Sequence, residues 1–297
     1  MEKFLITAGI NNYKNPNIGS LRGCHDDVFT MASIAQKHFG FKQENMRVLL
    51  DGAASQQGII NNINELKKKA KDYDIFCFHF SGHGSKIVDL KGDEIDGYTE
   101  IICPYDMDWN NPFTDDLTFN LLSDIPKTVQ VVTIFDCCHS GTANRSPIDN
   151  PCKSRYLTPP TALIPNEKEN HRSILRPSLK DREKVSGIHL AGCMDDQTSA
   201  DDWIDQGWHG AFTYYLNFAL KALGYKAEYE IVMKYIAELM KQHNYQQTPI
   251  ISEGRFSGKN LMFFGGQDKK PISKKMSTKK AYTKKIDTSK SWRKVGG

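Results

Sequence analysis

Seven short, almost uninterrupted apolar runs set the terms on which this 297-residue chain can fold. They lie at residues 4–9, 46–51, 74–80, 100–104, 129–138, 187–193 and 260–264. Such a run, bounded by turn residues, reads as a strand covered on both faces, the usual state of strands in a parallel sheet. Between the runs fall stretches with apolar residues at helical spacing. Residues 26–39 carry Val28, Met31, Ala32, Ile34, Ala35 and Phe39 and stop at Gly40; residues 58–70, 210–223 and 228–243 follow the same pattern. Strands alternating with helices predict an α/β fold on a mostly parallel sheet. No run approaches the ~20 apolar residues of a membrane span. Residues 1–3 lead straight into the first strand, so a secretory leader is not expected. Four of the seven cysteines (Cys77, Cys103, Cys137 and Cys193) sit inside apolar stretches, which suits reduced, buried thiols and a cytoplasmic location.

Charge divides the chain in two. Residues 268–297 hold 11 Lys/Arg and 2 Asp, a net of +9, so the formal total of +4 leaves the first 267 residues at −5. The tail repeats Lys pairs every five residues, at 269–270, 274–275, 279–280 and 284–285. Five matches neither the helical nor the strand period, so no regular element gathers those pairs on one face. Few large apolar groups and high charge predict a disordered Lys-rich tail. Inside residues 1–267 the strand–helix rhythm fails once, over 142–185. That stretch holds Pro147, Pro151, Pro159, Pro160, Pro165 and Pro177 among repeated Lys and Arg, and predicts a flexible basic loop between the parts 1–141 and 186–267.

Two strand ends are written in reactive residues: Ser81-Gly82-His83-Gly84 after the third run, and Asp136-Cys137-Cys138-His139-Ser140-Gly141 after the fifth. In a parallel sheet, ligands bind beyond the carboxyl ends of strands, so both motifs fall where a site is expected. A thiol needs a base or a positive neighbour to act as a nucleophile at neutral pH, and a His on the next strand end supplies one. Period-two alternation puts Asp136 and Cys138 on one face with Cys137 on the other, and puts Ser81 with His83. Cys138 is therefore the candidate nucleophile and Cys137 a core residue. A zinc site from His79, His83, Cys137, Cys138 and His139 is the competing arrangement. It is disfavoured because adjacent cysteines in a strand point apart and no paired spacing is present.

The motif pair, 55 residues apart, resembles the caspase-like cysteine peptidases of the metacaspase type. Further matches carry the likeness across residues 3–265: residues 21–27 (Leu-Arg-Gly-Cys-His-Asp-Asp), 92–98, 102–106, 114–116, 191–200, 210–213 and 247–249. The resemblance implies a caspase-like fold, with a mostly parallel six-stranded sheet sandwiched between helices. It implies cleavage of protein or peptide substrates after Arg or Lys, by a commonly monomeric enzyme. Cys138 would attack the carbonyl and His83 would protonate the departing amine. The backbone N–H groups of Gly84 and Cys138 would hold the oxyanion, worth a few kcal/mol per donor. The family's acidic pocket for the basic side chain maps onto Asp136, Asp27, Ser81 and Cys24. A core at −5 fits a cationic partner independently of the resemblance.

The sequence also departs from the family. It looks like a type I member without the N-terminal Pro-rich or zinc-finger extension. The chemistry requires no cofactor, but many relatives take calcium as an activator. Asp115 and Asp116 match two members of that site, whereas Thr99 and Arg145 stand where relatives carry acids. Six to eight oxygens are wanted, so the site is incomplete unless Asp93, Glu94, Asp96 or Glu100 compensate. Asp115 and Asp116 equally suit a helix start. The basic loop is a candidate autoprocessing segment, with no single scissile bond marked by the sequence. The tail fits an anionic partner such as nucleic acid or lipid, the enzyme's own acidic cleft, or a solubilising extension. A caspase-like scaffold of weak activity, recruiting a partner through the tail, is the alternative from a different functional class.

Overall fold

The computed structural model describes residues 1–89, 97–138, 152–163, 187–194, 197–253, 258 and 260–265. These belong to one compact unit of residues 1–267; residues 268–297 form a unit of their own, outside the described residues. In chain order the first half runs β1 (Lys3–Gly9), α1 (Cys24–Phe39), β2 (Met46–Leu50), α2 (Gln56–Lys67), β3 (Ile75–Ser81), β4 (Gly84–Val88), β5 (Tyr98–Ile102), β6 (Phe113–Thr114), α3 (Asp115–Leu122) and β7 (Gln130–Asp136). The second half adds β8 (Lys153–Ser154), β9 (Gly187–Ala191), β10 (Ala200–Ile204), β11 (Gly207–Gly210), α4 (Ala211–Ala222), α5 (Tyr229–Gln242) and β12 (Ile250–Glu253).

The expected α/β architecture is present. Six strands form one sheet in the order β12-β9-β7-β3-β1-β2, parallel throughout except for β12. Alternation along each strand sorts the side chains into two apolar layers. Leu5, Ile75 and Cys77 pack in one layer with residues of α1, α4 and α5; Phe4, Ile6, Phe76 and Phe78 pack in the other with residues of α2 and α3. Both faces of the sheet are therefore covered, which is why its strands read as continuous apolar runs.

Two expected strands take other places. Residues 98–102 do not join the main sheet; β5 pairs with β4 and β6 in a small antiparallel sheet that follows directly from the end of β3. Residues 260–264 form no strand. Phe263 and Phe264 are buried against Phe39 and Tyr229, and Phe264 has φ of 51°, incompatible with a ladder. The sixth strand is β12 instead, antiparallel to β9 at the sheet edge. The second small sheet, β11-β10-β8, uses residues 153–154 from within the segment read as a loop.

Register decides what stands at the top of the sheet. Gly9 pairs with Ser81 and Ser81 with Asp136, so β1, β3 and β7 end at one level. The residues two positions beyond Ser81 and Asp136 are His83 and Cys138.

Candidate active site

His83 and Cys138 leave neighbouring strand ends, joined by a hydrogen bond from the Gly82 N–H to the Asp136 carbonyl. The imidazole is buried and stacked on Tyr13, ring centroids 5.2 Å apart, while the Tyr13 hydroxyl accepts the His83 backbone N–H at 2.7 Å. Nε2 lies 2.7 Å from the Gly19 carbonyl. A carbonyl only accepts, so Nε2 carries the proton and Nδ1 is left to exchange one. Nδ1 is buried without a hydrogen-bond partner among the described residues. Burial lowers the His83 pKa below its ordinary 6.5, against the opposing pull of the Gly19 and Arg155 backbone. Cys138 Sγ sits at the Ser199 backbone, accepting its N–H and lying 3.3 Å from its carbonyl. Cys137 belongs to the apolar layer on the opposite side, and burial pushes its thiol well up.

Behind the pair lies a closed acidic pocket. Asp27 comes from the first turn of α1, Ser81 and Asp136 from the ends of β3 and β7, and Cys24 from the start of α1. Ser81 Oγ donates to Asp27 Oδ2 at 2.7 Å. Asp136 accepts from Ser199 Oγ through Oδ1, and from the N–H and hydroxyl of Thr213 through Oδ2. The motif residues 191–200, 210–213 and 247–249 thus converge on this floor. Gln247 fixes the Ser199 loop by accepting the Ala200 N–H at 3.0 Å and donating to the Gly192 carbonyl at 2.9 Å. Burial raises the Cys24 thiol to about 12, so it lines the pocket as a neutral group.

A third carboxylate, Asp201 on β10, completes the pocket and was not among the sequence candidates. It accepts the N–H groups of Arg22 and Gly23, both at 2.9 Å. Its signal in the sequence is only its position at the end of the 191–200 motif. Gly210 closes the remaining wall. A Cβ there would collide with Asp136 Oδ2 and with a guanidinium nitrogen, so the backbone must come this close.

That guanidinium belongs to Arg155, in the middle of the predicted loop. Its side chain is fully buried, as are those of Asp27, Asp136 and Asp201. Nη2 is 2.8 Å from Asp27 and 3.0 Å from Asp201; Nη1 is 2.8 Å from Ser81 Oγ, 3.0 Å from the Asp136 carbonyl and 3.3 Å from its carboxylate. Burial pulls the Arg155 pKa down, but the surrounding carboxylates Asp136, Asp27 and Asp201 outweigh it and hold the group charged. Asp27 stands raised to about 7, by burial first and the nearby Asp136 charge as well, even with Arg155 beside it.

The backbone of Arg155 is as fully engaged. Its carbonyl oxygen accepts the N–H of Gly84 at 2.9 Å and of Cys138 at 3.4 Å. Its N–H donates to the Ser199 carbonyl at 3.1 Å. Residues 153–154 pair antiparallel with β10, and Lys153 Nζ reaches the Ser20 carbonyl at 2.8 Å. A Cβ on Gly84 would overlap the Cys138 carbonyl, so only glycine lets the two N–H donors converge.

Asp115 and Asp116 stand apart from this cluster, in the first turn of α3, where the Thr114 hydroxyl caps the helix by accepting the Leu117 N–H at 3.1 Å. Among the described residues, no group of three or more His, Cys, Asp or Glu is placed to hold a metal ion. Asp93, Glu94, Asp96, His139 and Arg145 lie outside the described residues.

The fold is the caspase-like one. Caspase-1 from Spodoptera frugiperda superposes with a TM-score of 0.55 at 12% identity, over 85% of this chain and 86% of that one, a likeness of fold alone. Protein GSU0716 from Geobacter sulfurreducens gives a TM-score of 0.64 at 27% identity, over 86% and 94%. Residues 4–147 match the family described as metacaspase, peptidase C14 domain. Metacaspase-1B of Neurospora crassa is 30% identical over 87% of this chain and 68% of its own length. Metacaspase-1 of Meyerozyma guilliermondii is 27% identical over 88% and 72%, and metacaspase-1 of Schizosaccharomyces pombe 30% over 70% and 57%. The chain belongs to the metacaspase family, a family of cysteine peptidases. It spans between 57% and 72% of the length of these three relatives.

Proposed function

We propose that this chain is a cysteine endopeptidase that cleaves after Arg or Lys through Cys138 and His83, and that one substrate is its own Arg155–Tyr156 bond. The observation that carries the reading is the seating of Arg155. Its cation fills a pocket of three buried carboxylates while its carbonyl oxygen accepts from Gly84 and Cys138. One residue meets both requirements of a cleavage site, a recognised side chain and a polarised carbonyl.

The chemistry follows from the atoms. Cys138 Sγ passes its proton to His83 Nδ1 and attacks the Arg carbonyl carbon. The oxygen takes up the negative charge between the Gly84 and Cys138 N–H groups, fixed in place beforehand by strand ends and a glycine turn. The C–N bond breaks, the departing amine takes the proton from His83, and water then hydrolyses the thioester. The Gly19 carbonyl holds the ring's orientation throughout. Selection of a cation is electrostatic: three carboxylates without a counter-charge are costly in a buried site, and a bound Arg or Lys relieves that cost. No metal enters these steps.

The test is mass spectrometry of the purified full chain after incubation, with and without calcium, alongside fluorogenic peptides ending in Arg, Lys or Asp. Fragments ending at Arg155 and release from Arg and Lys peptides are expected, both lost in Cys138→Ala and retained in Cys137→Ala. Folded protein that cuts none of these peptides, with or without calcium, would overturn the reading and leave a binding scaffold.

A further inference from the structure

The residues that follow Arg155 are held as firmly as those before it. Leu157 donates its N–H to the Gly84 carbonyl at 2.8 Å, and Gly84 and Tyr156 form a parallel bridge. Gly84 therefore takes the Arg155 carbonyl on its N–H and the Leu157 N–H on its carbonyl, the pattern of a strand laid parallel to β4. The segment crosses from one small sheet to the other at Arg155: residues 153–154 extend β10, and residues 156–157 extend β4.

Beyond the bond Tyr156 and Leu157 are both half-buried, and burial alternates from Leu157 onward. Leu157 packs on the apolar layer that includes Ile87, Ile102 and Cys103, and Pro159 is buried. Thr158 and Pro160, between and after them, are exposed. Arg155, Leu157 and Pro159 thus pack on the protein two residues apart, with Tyr156 half-buried beside Ser85 and Thr158 turned to solvent. A loop thrown over a surface has no reason to keep that period in step with an adjacent strand.

We propose that the cleft has specificity subsites on the far side of the cut bond: β4 takes the leaving part of a substrate as an added strand, and an apolar floor selects an aliphatic residue at the second position after the cleaved Arg or Lys and a proline or similar compact apolar residue at the fourth. This rests on the endopeptidase reading above. It adds that substrates are read on both sides of the bond, with main-chain hydrogen bonds for affinity and alternate side chains for choice.

The experiment is internal competition. The full chain is given an equimolar mixture of peptides spanning residues 152–160 with Cys152→Ser, one otherwise native and the others carrying Leu157→Asp, Leu157→Gly or Thr158→Asp. Cleavage after Arg155 is followed by mass spectrometry, giving ratios of kcat/KM. Losing the apolar side chain at the second position should lower kcat/KM about tenfold for glycine and further for aspartate. Thr158→Asp, adding the same charge at the solvent-facing position, should stay within about threefold. In parallel, Leu157→Asp in the full chain should slow its self-cleavage more than Thr158→Asp does. Equal cleavage of the leucine, glycine and aspartate peptides after Arg155 would overturn the far-side subsites and leave the endopeptidase standing. Failure to cut any peptide after Arg155 would overturn the endopeptidase reading, and these subsites with it.

Discussion

Replacing Arg155 by Ala tests the charge logic of the site through stability, without depending on catalysis. In the intact chain its guanidinium faces Asp27, Asp136 and Asp201 at 2.8, 3.3 and 3.0 Å, all four side chains fully buried. Each attraction is worth about 4 kcal/mol at the effective dielectric of such sites. Desolvation of the ions and repulsion among the carboxylates offset most of that sum, so the gross figure is not the loss. Removing one partner of a buried ion cluster leaves the others uncompensated and costs roughly 3–5 kcal/mol. For a domain of this size that corresponds to roughly 6–20 °C in Tm.

The pH dependence gives the sharper check. Asp27 is raised from its ordinary 3.8 to about 7, by burial first and Asp136 next, with Arg155 pulling it down. Deleting Arg155 removes that pull, so Asp27 rises further. Between the unfolded and folded pKa values the folded state binds more protons than the unfolded one, and stability then falls as pH rises. The deficit of Arg155→Ala should therefore be largest near pH 8 and shrink toward pH 5, as Asp27 takes up its proton. Arg155→Lys keeps one charge but loses the two-nitrogen fork, and should lie between. The measurement is thermal unfolding by near-UV circular dichroism in a Cys138→Ala background, where the chain stays uncut. A deficit under about 1 kcal/mol at pH 8, or one that is flat from pH 5 to 8, would refute the reasoning.

Other outcomes follow from the same geometry. Gly210→Ala puts a methyl group against Asp136 and the bound guanidinium, and should lower kcat/KM for Arg peptides about 100-fold, mainly through KM, in the peptide assay. Asp201→Asn removes one of the two carboxylates on Nη2 and should cost about tenfold for Arg peptides, lowering the Arg-to-Lys ratio in the same assay. Because burial lowers His83, the acidic limb of the kcat/KM profile should have its midpoint below 6.5; a midpoint above that value would point to another base.

What the sequence disclosed and what it withheld separate along one physical line, the range over which a signal acts. β1, β3 and β7 are legible because burial on both faces imposes an apolar character on every residue of a short stretch. The candidate pair His83 and Cys138 is legible because glycine turns at strand ends are local, and alternation assigns Cys137 and Cys138 to opposite sides within one strand. β12 is harder, an edge strand with Ser252 exposed and only half of its pattern apolar. Residues 260–264 mislead, because rings that plug a core from a turn are as apolar as rings in a strand.

Arg155 and Asp201 lie at the far end of that scale. Arg155 is one of nine basic residues in a proline-rich stretch, and its neighbours give no reason to prefer it over Lys153 or Arg172. It is singled out by complementarity with carboxylates 128, 19 and 46 residues away, on a helix and two strands that meet only in the folded chain. The one local trace is the spacing of Arg155, Leu157 and Pro159, a strand-period pattern in a segment whose prolines otherwise announce a loop. That trace has meaning only beside β4, because a strand at a sheet edge can pair with a segment laid along it and turn a period of two into a bound conformation. On the proposed reading the segment is a loop until it is held against β4, which is why its own sequence reads as unstructured.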